Sequence, residues 1–90
     1  MTHSVTRAAA ETLGLKALGW LVNSPEDLGR FLNISGCGTE ELRNRASDPV
    51  FLGAVLDFLL SNDSLLRAFC EAESVDHKYV HMVVHVLENR

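Results

Sequence analysis

Apolar residues fall at helical intervals along nearly the whole chain. Leu13, Ala17, Leu18, Leu21 and Val22 share one side of a helix expected over 8–22. Ser24 and Pro25 then read as the cap and first residue of a second helix, with Leu28, Phe31 and Leu32 as its buried face. Gly36 and Gly38 end that helix, because glycine takes the left-handed conformation at little cost. Thr39 is the expected cap of a third helix, short and polar, which ends near Ser47. Glu40 and Glu41 suit its positive end. Asp48 and Pro49 open a fourth helix, whose Leu52, Val55, Leu56 and Leu59 form one face with Phe51 and Phe58 beside it. Asn62 caps a fifth, carrying Leu65, Leu66, Phe69 and Cys70. A sixth runs from near Asp76 to about Glu88 and turns Val80, Val83, Val84 and Leu87 inward. No stretch alternates apolar and polar residues as a half-buried strand does. The pattern therefore predicts an all-α fold, a compact bundle of five to six short helices.

Shifting the chain by 38 positions superposes its apolar residues. Leu18 falls on Leu56, Leu21 on Leu59, Leu28 on Leu66 and Phe31 on Phe69, each pair 38 apart. Ala17 meets Val55, Trp20 meets Phe58 and Val22 meets Leu60 at the same offset. The bundle is accordingly expected as two pseudo-repeated three-helix halves, 8–47 and 48–88, within a single domain over 1–90. Residues 1–7 are expected to be a disordered N-terminus. Two copies suit one closed domain better than a solenoid, which needs three or more repeats. The first helix of each half is the more apolar, and helices apolar on most sides tend to be central. Those two should pack together near a pseudo-twofold axis, with Gly14 and Gly19 allowing close approach.

Composition fits this picture. Of 90 residues, 47% are hydrophobic and 22% charged, which suits a folded domain and not a disordered chain. The net charge is 8 − 12 = −4. The basic residues are scattered, and the nearest approach to a cluster is Arg43-Asn44-Arg45, so neither nucleic acid nor an anionic membrane surface is an expected partner. The apolar run over 50–60 is about half the ~20 residues of a membrane span and contains Asp57. The stretch over 13–22 is broken by Lys16 and followed by Asn23-Ser24-Pro25-Glu26-Asp27, not by a small-residue cleavage site. The expected location is the cytoplasm. Cys37 and Cys70 are expected to be free, buried thiols.

The sixth helix carries the candidate chemistry. His77, His81 and His85 are spaced i, i+4, i+8, and neighbouring imidazoles at that spacing can hold Zn²⁺ or Cu²⁺. A natural site wants a further ligand, and no Glu-rich or Cys-rich segment supplies one, so the three histidines are weak metal candidates. They also allow a pH-responsive helix, since ordinary imidazole titrates near pH ~6.5. Tyr79, Met82 and Val86 form a second apolar stripe beside the core-facing one. A surface helix needs only one such stripe. The second is either core or a contact surface for a protein partner or a second copy.

Elsewhere the chemistry is sparse. Trp20, which matches Phe58 at the offset of 38, is expected in or near the core, and Asp57 on the surface. Gly36-Cys37-Gly38 is a turn with a thiol and no assigned base. No phosphate loop, dinucleotide fingerprint, His-Glu-x-x-His or Gly-x-Ser-x-Gly occurs. The last two helices have the lengths of a helix-turn-helix, but the second begins Asp76-His77-Lys78-Tyr79, without the basic or amide start of a recognition helix.

Three segments have a familiar look: 10–21, Leu28-Gly29-Arg30-Phe31-Leu32, and 48–60, followed by the Leu-Leu-x-x-Phe-Cys of 65–70. Over roughly 10–75 the chain resembles a family of short alphaproteobacterial proteins catalogued as a domain of unknown function. The last helix is where it departs most from that family. The resemblance implies a bacterial, stand-alone helical domain and carries over no activity, cofactor or catalytic residue. The leading expectation is a non-catalytic interaction module acting through its C-terminal helix, on another protein or as a homodimer. Tyr79, Met82 and Val86 are its contacts. The alternative is a metal- or pH-responsive protein using His77, His81 and His85. No cofactor is expected.

Overall fold

The computed structural model describes residues 5–88. Among them lie six helices: α1 (Arg7–Val22), α2 (Pro25–Ser35), α3 (Thr39–Arg45), α4 (Pro49–Leu60), α5 (Asp63–Glu73) and α6 (His77–Glu88). No strand occurs among the described residues. The fold is the expected all-α bundle. Most of the N-terminal stretch expected to be disordered, residues 1–4, lies outside the described residues; Thr6 caps α1, accepting from the Ala9 N–H at 3.0 Å.

Local chemistry accounts for the helix ends. Asp48 Oδ1 accepts from the Val50 N–H, Asn62 Oδ1 from the Leu65 N–H, and Asp76 Oδ1 from the Tyr79 N–H. Each satisfies a donor that a helix start leaves unpaired. Two caps differ from expectation. Ser24 occupies the cap of α2 but its hydroxyl makes no capping bond. Thr39 is the first residue of α3, not its cap. Gly38 caps it, and its N–H donates to Glu41 Oε1 at 2.9 Å. That bond is the half of a capping box that remains when the cap residue has no side chain. α3 stops at Arg45, two residues before the expected Ser47. α2 and α5 each end on a left-handed residue, Gly36 at φ 71° and Ser74 at φ 57°, again 38 positions apart.

The core is built around α4, which packs on α6, α1 and α5. Phe51, Leu52, Val55, Leu56 and Leu59 of α4 are buried, as are Leu13, Ala17, Leu18 and Leu21 of α1 and Val80, Val83, Val84 and Leu87 of α6. α1 and α4 approach closely at one point. A Cβ placed on Gly14 would stand 2.7 Å from Leu52 Cβ, nearer than two carbons can come. Position 52 is also the one 38 residues beyond 14. Gly19, the other glycine expected at this contact, faces open space. Val22, expected on the inner face of α1, is 50% exposed. It is the last residue of α1, just before the chain turns to begin α2.

The two glycines make opposite predictions. Gly14→Ala should destabilise the domain by about 1–3 kcal/mol, because the added methyl meets Leu52 near its backbone, where it cannot yield. Gly19→Ala should stabilise it by up to about 1 kcal/mol, the helix-propensity difference at an open position. Urea unfolding of both variants checks the pair.

Candidate functional site

The buried stripe of α6 fixes which residues it turns outward. With Val80, Val83, Val84 and Leu87 held in the core, His77, His81, Met82 and His85 are exposed and Tyr79 and Val86 half-buried. Met82 is 40% exposed, high for so apolar a side chain. Met82 and Val86, one turn apart, form one wall of a groove of about 310 Å³. His81 and His85 stand in the same groove. Val5, just before the cap of α1, completes it. The lining is predominantly apolar and carries no formal charge while the imidazoles are neutral.

The expected contact stripe is thus divided. Tyr79 lies against a neighbouring hollow of about 270 Å³, with Ala9, Thr12, Leu13 and Val75. The Lys16–Glu73 ion pair spans that hollow at 3.4 Å. The hollow at Tyr79 runs along the N-terminal half of α1, whereas the groove at Met82 meets the chain at Val5, before that helix begins. Val5 was not among the expected contacts. Its only signal was an apolar residue immediately before a threonine cap, a position that often packs back on the helix it precedes.

The three histidines do not converge. His77 and His85 are eight residues apart on one helix, about 12 Å along its axis. Among the described residues, no group of three or more His, Cys, Asp or Glu side chains is placed to hold a metal ion. A further hollow, about 400 Å³, runs along α3 beside Thr39, Glu40, Arg43 and Asn44, all exposed. Arg45 of the same helix lays its guanidinium over the Phe51 ring at 5.9 Å, within reach of a cation–π contact.

Cys37 and Cys70 are both free and buried. Burial pushes the Cys70 thiol above the ordinary range, and the nearby Asp76 carboxylate pushes it further. A raised thiol is a poor nucleophile, because the thiolate is the reactive form. Trp20 is half-buried at the core margin and meets Phe69 edge-on at 5.8 Å, and Asp57 is exposed, both as expected. Among the described residues no polar or charged side chain is buried. No single described helix is long and apolar enough to cross a membrane.

A family model described as "Protein of unknown function (DUF3572)" covers residues 7–90. The match runs through α6, so the last helix, expected to depart from its family, falls within the family's extent. No curated protein and no solved structure matches the chain significantly.

The state of Cys70 sets a measurable reactivity. In a Cys37→Ala background at pH 7–8, a disulfide reagent should modify Cys70 several-fold more slowly in the folded protein than in urea. Equal rates would contradict the burial. The raised thiol also makes a small contribution to stability. Its folded value lies above its unfolded one, so the contribution is complete at neutral pH and is lost as pH rises through the folded value.

Proposed function

The chain belongs to the DUF3572 family of unknown function, and from that premise we propose that it is a non-catalytic interaction module. It binds another protein, or a second copy of itself, through the outer face of α6. The observation that carries this reading is the groove of Val5, His81, Met82, His85 and Val86, in which Met82 is 40% exposed on a helix already anchored by its opposite face. An apolar groove beside a fixed helix suits the insertion of a partner's apolar side chains. Methionine adapts to such contacts through its unbranched, polarizable side chain. The setting in which this module acts is proposed to be the cytoplasm of a bacterial cell.

The alternative, a metal- or pH-responsive role for His77, His81 and His85, has less support. Two of the three stand in the groove, but the three are strung along the helix, and among the described residues no group of three or more His, Cys, Asp or Glu side chains is placed to hold a metal ion.

A photo-crosslinking residue in place of His81, introduced in the native cell, tests the proposal. A discrete adduct is expected, with either a second copy of the 9.9 kDa chain or another protein. Met82→Glu should abolish it while changing stability by less than about 0.5 kcal/mol, as an exposed substitution away from core contacts does. Crosslinking no stronger at His81 than at exposed Glu71 would overturn the reading.

A further inference from the structure

The first helix is free of charge on two sides, and the bundle covers one of them. Ala10, Leu13, Gly14, Ala17 and Leu21 of α1 are buried. On the opposite side Ala8, Thr12, Leu15, Gly19 and Val22 are exposed, spaced alternately four and three residues apart. On a helix that spacing keeps them within about 40° either side of one line, a straight seam. Leu15 and Val22 are each half exposed. Thr12, the one polar residue, donates its hydroxyl to the Ala8 carbonyl at 2.9 Å. The seam therefore holds no polar side-chain group that covering would leave unpaired. A helix apolar on all sides is ordinarily buried on all sides.

Charge selects what covers the seam. α1 has three charged residues, Arg7, Glu11 and Lys16. Glu11 and Lys16 flank the seam on opposite sides, with Lys16 five residues after Glu11. Two parallel helices that share a seam of this spacing set each flanking residue opposite the one five positions further along the other helix. Two parallel copies of α1 thus bring Glu11 of each to Lys16 of the other. An antiparallel pair brings like flanks together and leaves Glu11 and Lys16 apart. Within one chain Glu11 faces Arg7 at 3.8 Å and Lys16 faces Glu73 at 3.4 Å, both pairs open to water. Such pairs contribute little, so exchanging partners is nearly neutral, and the charges act on register and direction. Gly19, where an added Cβ meets nothing, lets the two backbones approach. The groove of about 280 Å³ between α2 and α4, lined by Phe31, Phe58, Ser35 and Ala54 among others, has no such complement, since Asp57 is its one charged residue.

We propose that α1 is a self-association helix, and that two copies of the chain pair their seams in parallel about a twofold axis. Leu15 and Val22 of one copy pack on the same residues of the other, and two Glu11–Lys16 bridges close the flanks. A contact made by one helix face falls below the ~1,200 Å² of stable interfaces, so the dimer is weak and depends on concentration. The seam shares no residue with the α6 groove, and either assignment can fail without the other.

The test is sedimentation equilibrium of the whole chain from micromolar to millimolar concentration. The mass should rise from 9.9 kDa toward twice that value. Leu15→Glu, at an exposed position, should stay monomeric with an unchanged helical circular dichroism spectrum. Glu11→Lys alone and Lys16→Glu alone set like charges across the seam and should weaken the dimer, and the two together should restore it. Val22→Cys should form a disulfide-linked dimer on mild oxidation, since equal positions of the seam face each other only in the parallel arrangement. Met82→Glu, on α6, should leave the dimer unchanged. A monomer at every concentration, a dimer that survives Leu15→Glu, or a charge exchange that fails to restore it would each overturn the proposal.

Discussion

The close approach of α1 to α4 at Gly14 and Leu52 is the constraint on which the rest of the bundle depends. The Cβ of Leu52 stands where a side chain on position 14 would begin, so the helices can meet there only if one residue has no side chain. The neighbouring residue on α4 lies close to α6, but less tightly. A Cβ on Gly53 would lie 3.2 Å from Glu88 Cγ, on a flexible exposed side chain, and 3.5 Å from Leu87 Cβ, an ordinary contact. With α1 and α6 drawn in from both sides, Val55, Leu56 and Leu59 lose all contact with water. Burying three such side chains is worth about 1.5–3 kcal/mol each, enough to matter greatly in a domain of 90 residues.

The outer surfaces follow from this packing. α6 commits Val80, Val83, Val84 and Leu87 to the core, and the helix is thereby held in one rotation. Its opposite face carries Met82, His81 and His85 wherever that rotation places them. The groove beside Val5 is a by-product of where α1 begins relative to α6. The α2–α4 groove arises differently. There the edge-on ring contact of Phe31 and Phe58 brings two helices together, and the small residues Ser35 and Ala54 leave the space beside it unfilled. Each surface is rigidly presented because the residues beneath it are core residues.

Much of the fold was legible in the sequence because local and tertiary signals agree. Helical spacing of leucines marked the faces of α1, α4 and α6, and Asp48-Pro49 and Asn62 marked starts that their side chains do cap. Failures came where the outcome depends on an unseen neighbour. Gly14 and Gly19 look alike in sequence, yet only one faces another helix. Val22 has the spacing of a core residue but is half exposed, although its neighbour Leu21 is fully buried. Within the candidate site, Met82 and Val86 were legible as a stripe. The separation of Tyr79 into another hollow was not, since it depends on where Lys16 and Glu73 meet. The α2–α4 groove was invisible for the same reason: nothing in Ser35 or Ala54 alone says that a groove lies beside them.

The most direct measurement is the proton–proton contact between Gly14 and Leu52 in the folded protein. In an isotope-labelled sample, nuclear Overhauser cross-peaks should join the Gly14 Hα protons to the Leu52 Hβ and methyl protons. Cross-peaks of that strength place the two helix backbones as close as the packing requires. With both residues assigned, their absence would mean that α1 and α4 do not meet at this point, and the arrangement of α6 and both outer grooves would fall with it.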